Sequence, residues 1–395
     1  MPVYLDHAAT TPILPAALVE YTRALATVGN PSSIHSAGQA AKMLLETGRE
    51  QVAASVGADG VEVVFTSGGT ESVNLGVKGL YWARQAERPR PRIVVPAGEH
   101  HATVDTVAWL ERHDGAVVEE IPLDALGRLD LTALAAALAD ASDVALVTFL
   151  WANNEVGTVQ PVADVVRLAH AAGVPVHCDA VSAYGQVPVD VHHAGGGAEP
   201  LDATSISAHK IGGPVGIGAL VLARTAVVEP LIHGGGQQRQ VRSGTQDAPA
   251  AAAFGVAASA VHDAARARTL RDAVIAGVTE RVPIAVLRGD PVDRLPGNAH
   301  FTFPGCEGDS LLFLLDAAGI SVSTGSACQA GIPEPSHVLM AMGVSEEDAR
   351  GALRITVGHS STADDVSAFL DALPDAVARA SVAGMAARQP TLGAH

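Results

Sequence analysis

Between residues 38 and 225, short runs rich in β-branched residues alternate with longer stretches of helical period. That alternation restricts the chain to an α/β class, a doubly wound and mostly parallel sheet with helices on both faces. Strands are expected at 61–65, 92–95, 144–150, 174–178, 203–206 and 218–222, and helices over 71–86, 131–139 and 161–171. The Gly-rich polar run 192–200 reads as a surface loop. Beyond 247 an Ala-rich helical stretch continues to 278, and strand-like segments at 299–303 and 353–357 are separated by helices, which suggests a smaller α+β unit. The expected division is a large unit over 14–255, a small unit formed by 1–13 with 256–385, and a flexible tail over 386–395.

Charge and composition narrow the function classes. With 25 basic against 42 acidic residues the net charge is -17, which excludes a nucleic-acid binder driven by phosphate neutralisation. No apolar run reaches the roughly 18 residues of a membrane span, and the start MPVYLDHAAT has no signal-like core, so a cytoplasmic location is expected. Cys178, Cys306 and Cys328 are odd in number and far apart, which argues against a disulfide framework or zinc ribbon. Only three residues are lysines, Lys42, Lys78 and Lys210, so any lysine chemistry must come from one of them. Lys42 and Lys78 fall within helical stretches at positions that read as solvent-facing.

In open α/β sheets ligands bind beyond the carboxyl ends of strands, so the residues just after each run carry the information. The run 61–65 is followed by Thr66-Ser67-Gly68-Gly69-Thr70-Glu71, small residues that open a helix and could hold a phosphate, or could be an ordinary helix start. Glu99-His100-His101 follows the second run, Asn153-Asn154-Glu155 the third, Asp179 the fourth and Ser207-Ala208-His209-Lys210 the fifth. A lysine, a carboxylate, an imidazole and a phosphate cradle are the groups that pyridoxal phosphate requires. Asp179 in an apolar strand needs a cation, and a pyridinium is one. His177, Cys178 and Asp179 resemble a metal set, but strand alternation turns Cys178 away from its neighbours, and no metal is expected. Cys178 and Cys306 read as buried small hydrophobes, and His192-His193 as a solvated pair.

Taken together, YLDHAATT (4–11), GNPSS (29–33), FTSGGTE (65–71), NNEVG (153–157), SAHK (207–210), HGGG (233–236), RSGT (242–245) and STGSAC (323–328) resemble the cysteine desulfurases of the NifS/IscS type, in the class V aminotransferase superfamily. The resemblance runs over nearly the whole chain and implies the fold type I architecture of pyridoxal-phosphate enzymes. It implies that Lys210 carries the cofactor and takes the substrate's α-proton, that Asp179 faces the pyridine nitrogen and that His100 stacks on the ring and joins in catalysis. Asn154 approaches the phenolic oxygen and also lies at the substrate, while Gly69, Thr70, Ser207 and His209 hold the phosphate. Thr245 reaches the phosphate of a neighbouring subunit, so a homodimer is implied. Arg354 binds the carboxylate of L-cysteine, and Cys328 accepts the sulfur as a persulfide. Acceptor proteins would be an iron–sulfur scaffold or a tRNA-thiolating enzyme, with no direct contact to nucleic acid or membrane.

The chain departs from this pattern at Ser182, where Asp-Ala-x-Gln is usual and the glutamine donates to the cofactor's phenolic oxygen. It departs again at His359, where many bacterial members have arginine, and at Gln237, where some have histidine. The same residues would serve a selenocysteine lyase or a C–S lyase. A cofactor-free binding protein on this fold is the alternative from another class, and Lys210, Asp179, Cys328 and Arg354 occurring together argue against it.

Overall fold

A computed structural model describes residues 2–86, 88–197, 199–260, 262–325 and 335–387, without the side chains of 383–387. The chain opens with β1 (Val3–Tyr4), α1 (Pro15–Leu25) and α2 (Ser36–Ser55). The layered part follows as β2 (Val63–Thr66), α3 (Gly69–Gln85), β3 (Arg92–Pro96), α4 (His101–Asp114), β4 (Val117–Ile121), α5 (Leu131–Ala137), β5 (Val144–Leu150), α6 (Val162–Ala171), β6 (Val176–Asp179), β7 (Ala203–Ser207) and β8 (Gly218–Leu222). The remainder comprises α7 (Ala248–Ala258), α8 (Ala264–Arg281), β9 (Val286–Arg288), β10 (Asn298–Thr302), α9 (Gly308–Ala317), β11 (Ile320–Ser321), α10 (His337–Ala341), α11 (Glu346–Ala349), β12 (Ala352–Thr356) and α12 (Ala363–Ala387).

The seven-stranded sheet runs in the order β2-β8-β7-β6-β5-β3-β4, parallel except that β8 is antiparallel to both neighbours. Both faces are buried, so alternate residues of one strand enter different cores. Val63 and Phe65 of β2 pack with Val94, Phe149, Val165 and Phe254 on one face, while Val64 packs with Val73, Ile93, Leu146 and Leu220 on the other. A separate antiparallel sheet, β12-β10-β9, packs Phe301, Leu353 and Ile355 against Val274 and Val278 of α8 and Phe369 and Leu373 of α12.

After β3 the chain passes to the edge strand β4 and then returns to β5 on the other side of β3, so strand order reverses there. A crevice opens at such a reversal. The carboxyl ends of β2, β3, β5, β6 and β7 all lie at this edge of the sheet, because β2 is antiparallel to β8 and therefore parallel to β7.

Several expected elements shift. Val61 belongs to a single helical turn, Gly60–Glu62, and β2 starts two residues later than the run 61–65 suggests. The Ala-rich stretch after 247 is two helices, because the Asp263 side chain caps α8 afresh by accepting from Arg266 N. Edge strand β4 (VVEEI) buries only Ile121, so it carries no continuous apolar run. Among the described residues, no helix is long and apolar enough to cross a membrane, and no group of three or more His, Cys, Asp or Glu is placed to hold a metal ion.

Candidate active site

A cavity of about 390 Å³ opens at the carboxyl edge of the sheet. Gly69, Thr70, His100, Asn154, Asp179, Ser182, His209, Lys210 and Arg354 all line it. Ser207, fully buried at the end of β7, lies beside Gly69, its Cβ 3.7 Å from where a Gly69 Cβ would stand. Thr245 is exposed and does not line this cavity. Cys328 lies outside the described residues, and its segment joins Gly325 to Pro335.

The floor is the N-terminus of α3. Gly68 holds φ +154°, a conformation glycine tolerates, and its carbonyl accepts from Thr66 Oγ1 at 3.0 Å and Ser72 Oγ at 3.1 Å. A Cβ on Gly69 would stand 2.7 Å from Val181, so glycine is needed there for the helix start to close on the cavity. The first N–H groups of a helix have no partner within it and favour an anion. Arg242 pairs with Glu71 at 2.6 Å, which neutralises the one acid in that first turn. Ser207 Oγ is buried and finds no hydrogen-bond partner among the described residues, an open donor beside the helix start.

Lys210 follows β7 on a single turn, Ala208–Ile211, and its Nζ donates to Ala8 O from the N-terminal segment. Burial first and the charge of Arg354 second lower its pKa from 10.5 to about 8, against the opposing pull of Asp6 and Asp179. The rate at which the cofactor-free chain captures pyridoxal phosphate should therefore climb with pH and level off above about 8, since only the neutral amine has a lone pair to attack. Stopped-flow absorbance measures this. A half-maximum near 10 would show that the amine is held as in water.

Asp179 is 3 % exposed, and its Oδ1 accepts from Val181 N at 2.9 Å. Burial raises its pKa to about 6, and it makes no ion pair with any described residue. A cation placed on it would restore the charged form. His100 caps α4 by accepting from Ala102 N on Nδ1 at 3.0 Å, and burial lowers its pKa to about 4. The ring is thus neutral and carries its proton on Nε2. Arg354 is 4 % exposed; Nη1 donates to Asn154 O at 2.8 Å, Nη2 pairs with Asp6 at 3.0 Å, and Nε has no partner among the described residues. Asn154 Oδ1 is likewise buried and without a partner among the described residues.

Sequence reasoning left several groups in or behind this cavity without a role. Asp6 was legible only as part of YLDHAATT, with nothing to show that it pairs with Arg354. Glu99 is 2 % exposed, accepts from Leu150 N at 2.9 Å and is pushed well above the carboxylate range, chiefly by burial. Glu155, His101 and His337 line the cavity itself, and His337 carried no signal. Two readings need correction. Lys78 is half-buried with its Nζ 4.0 Å from the Trp109 ring centre, so it is a stacked cation and not simply a solvated one. His192 pairs at 2.8 Å with the buried Glu62, while its neighbour His193 is exposed against Asp190. Cys178 and Cys306 are buried, and burial raises both thiols.

A phosphate cradle, a buried carboxylate with no ion-pair partner among the described residues, a neutral imidazole and a lysine near its titration point fit pyridoxal phosphate. Fold and cavity together define an enzyme of the fold type I pyridoxal-phosphate class. The sequence pattern of the class-V aminotransferases matches residues 3–369, and the chain belongs to that family. It is 52% identical over 392 residues to an IscS-like cysteine desulfurase of Mycobacterium tuberculosis, covering 97% of this chain and 98% of the relative. A solved NifS-like protein superposes with a TM-score of 0.87 at 33% identity, covering 96% of this chain and all of the other. A structure of SspA in complex with cysteine gives a TM-score of 0.77 at 31% identity, covering 91% of this chain and 99% of that one.

Proposed function

We propose that this chain is a cysteine desulfurase that converts L-cysteine to L-alanine and retains the sulfur for transfer. The observation that carries the reading is the meeting of Lys210, Asp179, His100 and Arg354 in one cavity beside an open phosphate cradle. Gly69, Thr70, Ser207 and His209 would hold the cofactor's phosphate, Asp179 its ring nitrogen and His100 its face, with Asn154 and Ser182 toward its phenolic oxygen. When bound, pyridoxal phosphate supplies the sink for the electron pair left at the substrate's Cα.

The chain's own groups do the rest. Arg354, which lines the cavity, takes the substrate carboxylate through its planar guanidinium. Lys210 Nζ, neutral for an appreciable fraction of the time near pH 8, accepts the Cα proton. His100, neutral with its proton on Nε2, is placed to donate a hydrogen bond within the cavity. Cys328 receives the sulfur as a persulfide, a role that rests on the resemblance of STGSAC.

The same reading includes a homodimer in which Thr245 serves the partner's phosphate, a cytoplasmic location, and a protein acceptor of the kind an iron–sulfur scaffold or tRNA-thiolating enzyme presents. It also keeps the division into units 14–255 and 1–13 with 256–385, supported by the separate cores of the two larger sheets. The test of the function is incubation of the purified protein with L-cysteine and a thiol reductant. Alanine and sulfide should appear in equal amounts, and pyruvate in place of alanine would overturn the reading.

Arg354→Lys keeps the charge and loses the planar fork, so KM for cysteine should rise about tenfold or more, the worth of a charged hydrogen bond. Cofactor occupancy should change less. Steady-state kinetics beside the absorbance spectrum checks this, and an unchanged KM would move the carboxylate to another residue.

A further inference from the structure

The chain leaves the small sheet at Gly325 and is described again from Pro335, and both flanks of the intervening segment are held by neighbouring parts of the cavity. On the near side, Ser323 bridges Arg354 on β12. On the far side the polar contacts are made on the strand-end loops of the large sheet. Ser336 Oγ donates to Glu155 Oε2 at 2.5 Å, and both residues are buried, at 2 % and 3 % exposure. The same hydroxyl accepts from Leu339 N at 3.2 Å, which fixes its direction. Glu155 is itself pinned, since its N–H donates to Asn153 Oδ1 at 2.8 Å and its carbonyl accepts from Asn298 Nδ2 at 3.1 Å. One residue on, His337 Nε2 donates to Glu99 O at 2.8 Å, and its ring stands edge-on to His101 with centroids 5.0 Å apart. Val338, Leu339 and Met342 pack with Val156 behind the polar contacts.

The Glu155 carboxylate is buried at this contact, and the apolar packing of α10 with Val156, Ala349 and Ala352 does not require it there. We propose that Glu155 and Ser336 are positioning residues of the reaction: they form a clasp that fixes, against the cavity wall, the point from which the chain runs back to Cys328. The clasp acts on the sulfur-accepting step and not on the loading of cofactor or substrate. This rests on the desulfurase reading given above.

The test uses the cofactor-loaded protein and the variants Ser336→Ala, Glu155→Gln and the two combined. In single turnovers with L-cysteine, Ser336→Ala should slow persulfide formation on Cys328 about tenfold, with KM and the cofactor spectrum close to wild type. Glu155→Gln keeps an acceptor for the hydroxyl and should recover part of that rate. The double variant should be no slower than Ser336→Ala, because the two act through one contact. Hydrogen exchange over 335–342 should quicken in Ser336→Ala whether or not the wild type turns over. Wild-type rates in Ser336→Ala, a parallel loss of cofactor, simple addition of the two effects, or unchanged exchange would each overturn the clasp. Absence of persulfide in the wild type would instead overturn the desulfurase reading, with the exchange result still deciding whether the clasp exists.

Discussion

Lys210→Ala is expected to abolish covalent capture of pyridoxal phosphate and to cut alanine formation by roughly 10²- to 10⁴-fold, the scale of losing a positioned base. Of the chain's three lysines, only one can serve. Lys42 is exposed on α2, and Lys78 is committed to the Trp109 ring on the outer side of α3. Lys210 alone enters the cavity, and its amine is the one brought near neutrality by burial. The phosphate cradle and Asp179 are untouched by the substitution, so the variant should still bind the cofactor loosely. Arginine at 210 should not rescue, since a guanidinium keeps its proton at every working pH. Borohydride reduction of the wild type followed by peptide mass mapping checks the assignment, and an adduct on Lys42 or Lys78 would refute it.

Cys328→Ser is expected to load the cofactor as the wild type does and to lose persulfide altogether, with sulfide release falling by orders of magnitude. A serine hydroxyl does not ionise at working pH and is a poor partner for sulfur, whereas a thiolate is a strong one. The other two thiols cannot take over. Cys178 is fully buried in the sheet core and Cys306 is 1 % exposed, and burial disfavours the thiolate at both. Alanine and sulfide are read by chromatography and a sulfide-specific dye. Undiminished turnover in this variant would mean that sulfur leaves by elimination, the C–S lyase chemistry that the same cavity could host.

The strand ends were legible because a parallel sheet buried on both faces needs unbroken apolar runs, and polar residues directly after them stand out. Asp179, Lys210, His100 and Asn154 were readable for that reason. Edge strand β4 was not, since one buried residue in VVEEI leaves no pattern to find. Contacts between distant parts of the chain were also hidden. Asp6 meets Arg354 across nearly the full sequence, and Ser336 meets Glu155 through a fold that no local period announces. Lys78 looked solvated because its partner, Trp109, stands on a different helix, α4. The helix break before α8 was masked by uniform alanine, where propensity favours continuation and only the Asp263 cap marks a new start.

The central claim is that a lysine-centred cavity delivers the sulfur of cysteine to Cys328. Its most direct test is one turnover of the cofactor-loaded protein with L-cysteine, followed by intact-peptide mass spectrometry and alanine quantification on the same sample. The account predicts one added sulfur on the peptide bearing Cys328 for each alanine released. Alanine without sulfur on that peptide, or sulfur found on Cys178 or Cys306, would contradict it.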